Sequence, residues 1–213
     1  LSSILYPTFT LGNLLLERVL QQSVRQSPIN LRPLLGIKPQ ESTKGMGYIA
    51  WGYLKMFRAT QKEFYKQKTI ECLQWLDENK SPLYEEYSWG NHFEYSSRGG
   101  RIPKHTSTIV WTSLIGMVYL EAYKLFNVEK YLDIAISICS WILKLSRLKS
   151  DHGFCISYTA RRGGSTIHNS NMLGASMLSK TANITGNQEY LAVAKEAMKY
   201  SCAYQLADGA WYY

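Results

Sequence analysis

The 213 residues are short of several things that would have decided matters at once. No cysteine pair shows CxxC or zinc-ligand spacing: Cys72, Cys139 and Cys202 fall in predicted helices and Cys155 in a loop. That pattern predicts that the three helix cysteines are small buried thiols in a reducing, cytoplasmic compartment, with no metal and no cofactor. No run approaches the eighteen or so apolar residues that cross a bilayer. Leu1-Ser2-Ser3-Ile4-Leu5 is too short for a secretory core and has no basic start. Compact lysine/arginine blocks and nucleic-acid reading modules are missing, so nucleic acid is not an expected partner. Arg161-Arg162-Gly163-Gly164 lacks the lysine and hydroxyl residue of a phosphate loop. No stretch alternates convincingly as a strand, although loop aromatics have room for short hairpins.

What is present is an ordinary globular composition, 46% hydrophobic and 19% charged, enough for one substantial core. The 24 basic and 16 acidic side chains leave a net charge of +8, which favours anionic partners. Oligomeric state is left open by the sequence. A leucine at position 1 and an end inside a repeat loop predict a piece of a longer chain, here treated as one helical domain over 1–213.

A diverged repeat organises the chain. Tyr65, Tyr131 and Tyr190 each sit near the start of an amphipathic helix, and Trp75, Trp141 and Tyr200 follow ten residues later. Each helix is preceded by a tight turn, at 60–63, 126–127 and 185–187. Thr60 with Glu63 reads as a capping box, and Asn127 and Asn187 read as N-caps. Each helix is followed by a polar, aromatic, glycine-bearing loop: Trp89-Gly90-Asn91-His92, Asp151-His152-Gly153-Phe154 and Asp208-Gly209-Ala210-Trp211.

Seven helices are expected: one around Leu11–Leu20, then 46–59, 61–79, 106–125, 128–147, one opening at His168, and 188–205. Small residues Gly174, Ala175 and Ser176 allow close helix approach. The last helix should turn Tyr190, Ala194, Ala197 and Cys202 inward. Residues 28–47, with Pro28, Pro33 and Pro39, form a connection. Long loops alternating with short turns predict an all-α architecture, an (α/α) toroid or partial toroid of antiparallel hairpins whose long loops crowd one rim.

Tyr131-Leu132, Trp141, Asp151-His152-Gly153-Phe154, His168 to Gly174 and Gln205 to Trp211 together resemble the six-hairpin, (α/α)-toroid carbohydrate-active proteins. The closest likeness is to toroid proteins associated with bacterial polysaccharide biosynthesis. Gln205 to Trp211 is also similar to a repeat of terpene cyclases, whose aspartate-rich acid motif is missing. The resemblance implies a carbohydrate-active protein of bacterial polysaccharide synthesis or modification, binding an acidic poly- or oligosaccharide in a rim cleft.

Two chemistries fit the rim residues, proton transfer on a uronate (lyase or epimerase) and hydrolysis. Toroidal lyases pair an amide, which neutralises a uronate carboxylate, with a His or Tyr that removes the neighbouring proton. Asn91-His92 and His168-Asn169 offer such pairs, with Asn171 nearby, Tyr158 as a second acid or base, and Arg161 as an anchor. Hydrolysis would instead need two carboxyl groups, drawn from Glu94, Asp151 and Asp208. Asp151 before His-Gly also reads as a turn former, and either Asn as a helix cap. Trp89, Phe93, Tyr95, Trp111, Tyr158 and Trp211 offer flat faces for sugar rings. A binding or scaffold domain without catalysis, and an isoprenoid-handling toroid, are the remaining readings.

Overall fold

The computed structural model describes residues 5–97, 100–160 and 166–212. Helices α1 (Leu5–Thr10) and α2 (Leu14–Gln26) lead, through the proline-bearing connection, into three antiparallel helical hairpins. These are α3 (Thr43–Thr60) with α4 (Glu63–Glu78), α5 (Ile109–Phe126) with α6 (Glu129–Lys144), and α7 (His168–Thr185) with α8 (Gln188–Ala203). The first helices of each pair pack in a row, α3 on α5 on α7, and form an inner layer. The second helices α4, α6 and α8 lie behind them, each against its own partner. The expected helices are present, with α1 in addition.

The three short turns obey one local rule. Gln61, Asn127 and Gly186 each close a helix in the left-handed region, with φ of 56°, 54° and 73°. An extended residue then opens the next helix: Lys62, Val128 and Asn187. Asn187 caps α8 as expected, its side chain accepting from the Tyr190 N–H at 3.1 Å. The other two cap readings are corrected. Asn127 ends α5 instead of starting α6, since asparagine tolerates left-handed backbone. Thr60 belongs to α3 and donates its hydroxyl back to the Met56 carbonyl, so no capping box with Glu63 forms.

The opposite end carries the long connections. Two antiparallel hairpins lie there, β1 (Tyr95–Ser97) with β2 (Gly100–Ile102) and β3 (Arg147–Ser150) with β4 (Gly153–Ile156). The second starts at Arg147, the last residue that the sequence assigns to the helix, and otherwise occupies the loop expected over 148–167. It wedges against α7 and α8, where Gly153 (φ +107°) approaches so closely that a Cβ would lie 2.3 Å from the Glu196 carbonyl oxygen.

α5 is the keel of the core. Ten of its residues are buried, including Ile115, Tyr119 and Leu120. It is long and apolar enough, by length and composition, to cross a bilayer. That corrects the sequence reading that no stretch approaches such a span. Here its side chains are the protein's own core, packed against α3, α6 and α7. Gly47, Gly116 and Gly174 let neighbours close in, and a Cβ on Gly174 would sit 2.4 Å from Ile109 Cδ1. Cys72 and Cys139 are buried as expected and Cys155, in β4, is buried too, but Cys202 is exposed; Ser201 takes the inward place.

Candidate functional site

The long loops share one rim, at the N-terminal ends of α3, α5 and α7. Gly90 pairs with Ser107, and Thr108 with Thr159, as isolated bridges. The Thr43 hydroxyl donates to the Gly90 carbonyl at 3.1 Å, and the Ile109 N–H to the Tyr158 carbonyl at 3.0 Å. Thr108 caps α5 through its hydroxyl. Gly90 is forced by this crowding: a Cβ there would lie 2.2 Å from the Thr106 carbonyl oxygen. Segments distant in sequence therefore meet at one end of the molecule.

A pocket of about 470 Å³ opens in this rim, between the entry of α3, the exit of α4 and the loop beyond it. His92 and His105 both line it, with Thr43, Trp75, Glu41 and Glu78. His105 is held rigidly by its backbone. Its φ is +62°, its N–H donates to the Asn91 carbonyl, and its carbonyl accepts from Ser81 at 2.7 Å. Its pKa is lowered by burial first, then by the positive charge of Lys104 and the neighbouring His92 imidazole. A neutral imidazole at neutral pH is the state a proton acceptor needs. His105 was not singled out from the sequence; its only signal was a histidine closing a long glycine- and arginine-rich loop.

The residues singled out from sequence divide sharply. His92 enters the pocket. Asn91 is half-buried between two lining residues without being one. Glu94 is exposed on the approach to β1, and Asp151 is exposed in the β3–β4 turn, as its turn-forming reading expects. Tyr158 is half-buried against the core and holds the start of α5 by its backbone. Arg161 lies outside the described residues, as does the side chain of Tyr95.

Trp89 and Asn171 are corrected. Trp89 is fully buried, donates its indole N–H to the Leu76 carbonyl at 2.9 Å and stacks on Tyr119, so it has no face left for a sugar. Asn171 is equally buried. Its Oδ1 accepts from the Ile156 N–H at 2.9 Å, and its Nδ2 donates to the Ala197 carbonyl and Ser201 Oγ at 2.7 and 2.9 Å. Those bonds tie β4, α7 and α8 together and leave no amide for a ligand.

His168 is a third departure from the open-rim expectation. Only 8% exposed, it stacks on Tyr200 with ring centres 5.8 Å apart and packs beside Tyr204 and Trp211. Its Nδ1 lies 3.4 Å from Ser201 Oγ, and burial lowers its pKa. Trp211 fixes this cluster by donating its indole N–H to the Ser201 carbonyl at 2.7 Å. Asn169, next to His168, is exposed and makes no cap; Ile167 holds that position. His92 and His168 thus share a rim but no contacts.

No family model matches the chain, and no curated protein does. Solved structures do. An α-mannanase of glycoside hydrolase family 76 from Bacteroides thetaiotaomicron superposes with a TM-score of 0.59 at 18% identity, over 80% of this chain and 47% of its own. A D-mannose isomerase gives 0.53 at 15%, over 75% and 40%. A family 76 α-1,6-mannanase of Salegentibacter, an inactive variant in complex with α-1,6-mannotetrose, gives 0.52 at 14%, over 91% and 55%. That variant has two adjacent aspartates replaced by alanine; no two aspartates are adjacent in this sequence. The chain spans about half the length of these proteins or less, and what it shares with them is the (α/α)-toroid fold.

Proposed function

We propose that the chain is part of a carbohydrate-active toroid that binds an acidic saccharide at the α3–α5–α7 rim and moves a proton on it. The placement of His92 and His105 in one rim pocket carries this reading. Two imidazoles in one cavity can divide the work, one taking a proton from a carbon beside a carboxylate or carbonyl, the other returning it. Return to the opposite face gives an epimer or isomer; loss of the neighbouring oxygen gives an unsaturated lyase product. His105, kept neutral, is the acceptor, and His92 its counterpart. Trp75 supplies an apolar wall. A place in bacterial polysaccharide synthesis belongs to the same reading, supported by the fold and the basic charge.

A hydrolase is the second reading, because Glu41 and Glu78 line the same pocket. Hydrolysis needs a carboxyl pair across the scissile bond.

Incubation with uronate oligosaccharides and neutral hexoses in D₂O separates the two. Proton transfer places deuterium on carbon or generates an unsaturated sugar, and His105→Asn lowers that rate by about 10²-fold or more. New reducing ends that depend on Glu41 or Glu78 would establish the hydrolase instead. Neither exchange nor cleavage with any saccharide would refute both.

A further inference from the structure

Beside the histidine pocket, on the other side of the first turn of α3, lies a second feature. Thr43 lines the pocket; Lys44, the next residue, lines a shallow groove between α3 and α5. The stripe Thr43, Gly47, Ala50, Leu54 of α3 is buried. The stripe displaced by one residue, Lys44, Tyr48, Trp51, Lys55, remains exposed or half-exposed. Gly47 brings the helices together, since a Cβ would meet Ile115 at 2.7 Å. Tyr48, Trp51 and, from α5, Trp111 then stand side by side along one seam.

From this geometry we infer that Lys44, Tyr48 and Trp111 form a platform for a pyranose ring bearing a carboxylate, a subsite next to the histidine pocket. The groove holds only about 10 Å³, so a ligand lies across it, on the ring faces, and not inside it. Flat C–H faces of a pyranose suit such a surface. The Lys44 ammonium sits 5.9 Å from the Trp111 ring centre and 6.0 Å from that of Tyr48. Among the described residues it has no carboxylate within ion-pair distance. Lys55, further along the stripe, differs: it is bound to Glu121 at 2.6 Å and lies over Trp51. A cation held over aromatic rings without a counter-ion is suited to a sugar whose anion lies at the ring's edge. With Thr43 and Lys44 consecutive, one oligosaccharide crossing the start of α3 reaches both features.

The subsite rests on the carbohydrate reading, but not on any catalytic step, so binding alone tests it. Tryptophan fluorescence of the 213-residue chain would be titrated with galacturonate oligosaccharides and with neutral mannose oligosaccharides of equal length. Lys44→Gln should weaken the acidic ligand by about tenfold, the loss of one charge-assisted contact, and leave neutral binding unchanged. Trp111→Ala should weaken both. Lys44 is exposed, so Lys44→Gln should melt like the parent; Trp111→Phe keeps a ring if Trp111→Ala does not fold. Acidic-ligand binding indifferent to Lys44→Gln and Trp111→Ala, yet lost in His105→Asn, would overturn the subsite and leave the pocket standing. No binding of any saccharide would overturn both. Acidic binding lost in Lys44→Gln, with no proton exchange by the parent chain, would support the subsite and sink the proton-transfer proposal.

Discussion

Glycines show at single-residue scale how closely the rim is built. Gly90 has no room for a methyl group because backbone atoms of Thr106 fill the space, and backbone cannot swing aside as a side chain does. Gly90→Ala should therefore destabilise the chain by about 2 kcal/mol and weaken saccharide binding at the adjoining pocket. Gly52, an exposed position inside α3 with nothing within 4 Å, makes the contrast. Gly52→Ala should stabilise by about 0.5–1 kcal/mol through helix propensity alone. Denaturant midpoints of the two variants check both signs; a neutral Gly90→Ala would mean the rim is looser than its geometry. Neither glycine could have been ranked from sequence. A glycine before Asn-His and a glycine between two aromatics look alike until the facing backbone is known. The same holds for Trp89. An aromatic in a polar loop is a fair sugar platform on paper, but the loop folds back and places it between Tyr87 and Tyr119.

Among the elements, the hairpins were readable because each repeats its own logic. Tyr131 and Trp141, ten apart on one helix face, announce an outer helix, and three such helices announce the architecture. The turns fall where the sequence places them, at 61, 127 and 186, while two of their three caps differ from its reading. Residue type alone does not tell whether an asparagine ends one helix or begins the next, because both roles satisfy stray backbone groups. The β3–β4 hairpin was hidden for a different reason. Its residues, Arg147-Leu148-Lys149-Ser150 and Gly153-Phe154-Cys155-Ile156, do not alternate, and what fixes them is Asn171 reaching across from α7. Replacing Asn171 by leucine removes the acceptor of the Ile156 N–H and the donor to the Ala197 carbonyl inside a buried site. A loss of about 3 kcal/mol in unfolding free energy is expected by denaturant titration. A loss below about 1 kcal/mol would show that β4 docks on α7 and α8 without that amide.

At the scale of the whole molecule, two histidines couple stability to pH. Burial lowers the pKa of both His105 and His168 below the ordinary 6.5. The unfolded chain thus binds more protons than the folded chain just below that value, so stability rises with pH there. The contribution is complete above pH 6.5 and declines as pH falls through it. Asp77 acts lower on the scale. Burial would raise its pKa, but bonds from Lys130 and Tyr87 outweigh burial and lower it, so its stabilisation is lost only as pH falls below the carboxylate range. The urea midpoint should consequently drop between pH 7.5 and pH 5.5, and drop less in His168→Phe. A midpoint unchanged across that interval would contradict the burial assigned to both imidazoles.

The same scale holds the central claim, that connections from three hairpins build one working rim while the short turns sit idle at the other end. Hydrogen–deuterium exchange with and without a bound uronate oligosaccharide tests it most directly. The account predicts slowed exchange in the loop and helix starts around residues 40–48, 78–92 and 103–111, and none at the turns around 61, 127 and 186. Slowed exchange at those turns, with the rim unaffected, would contradict it.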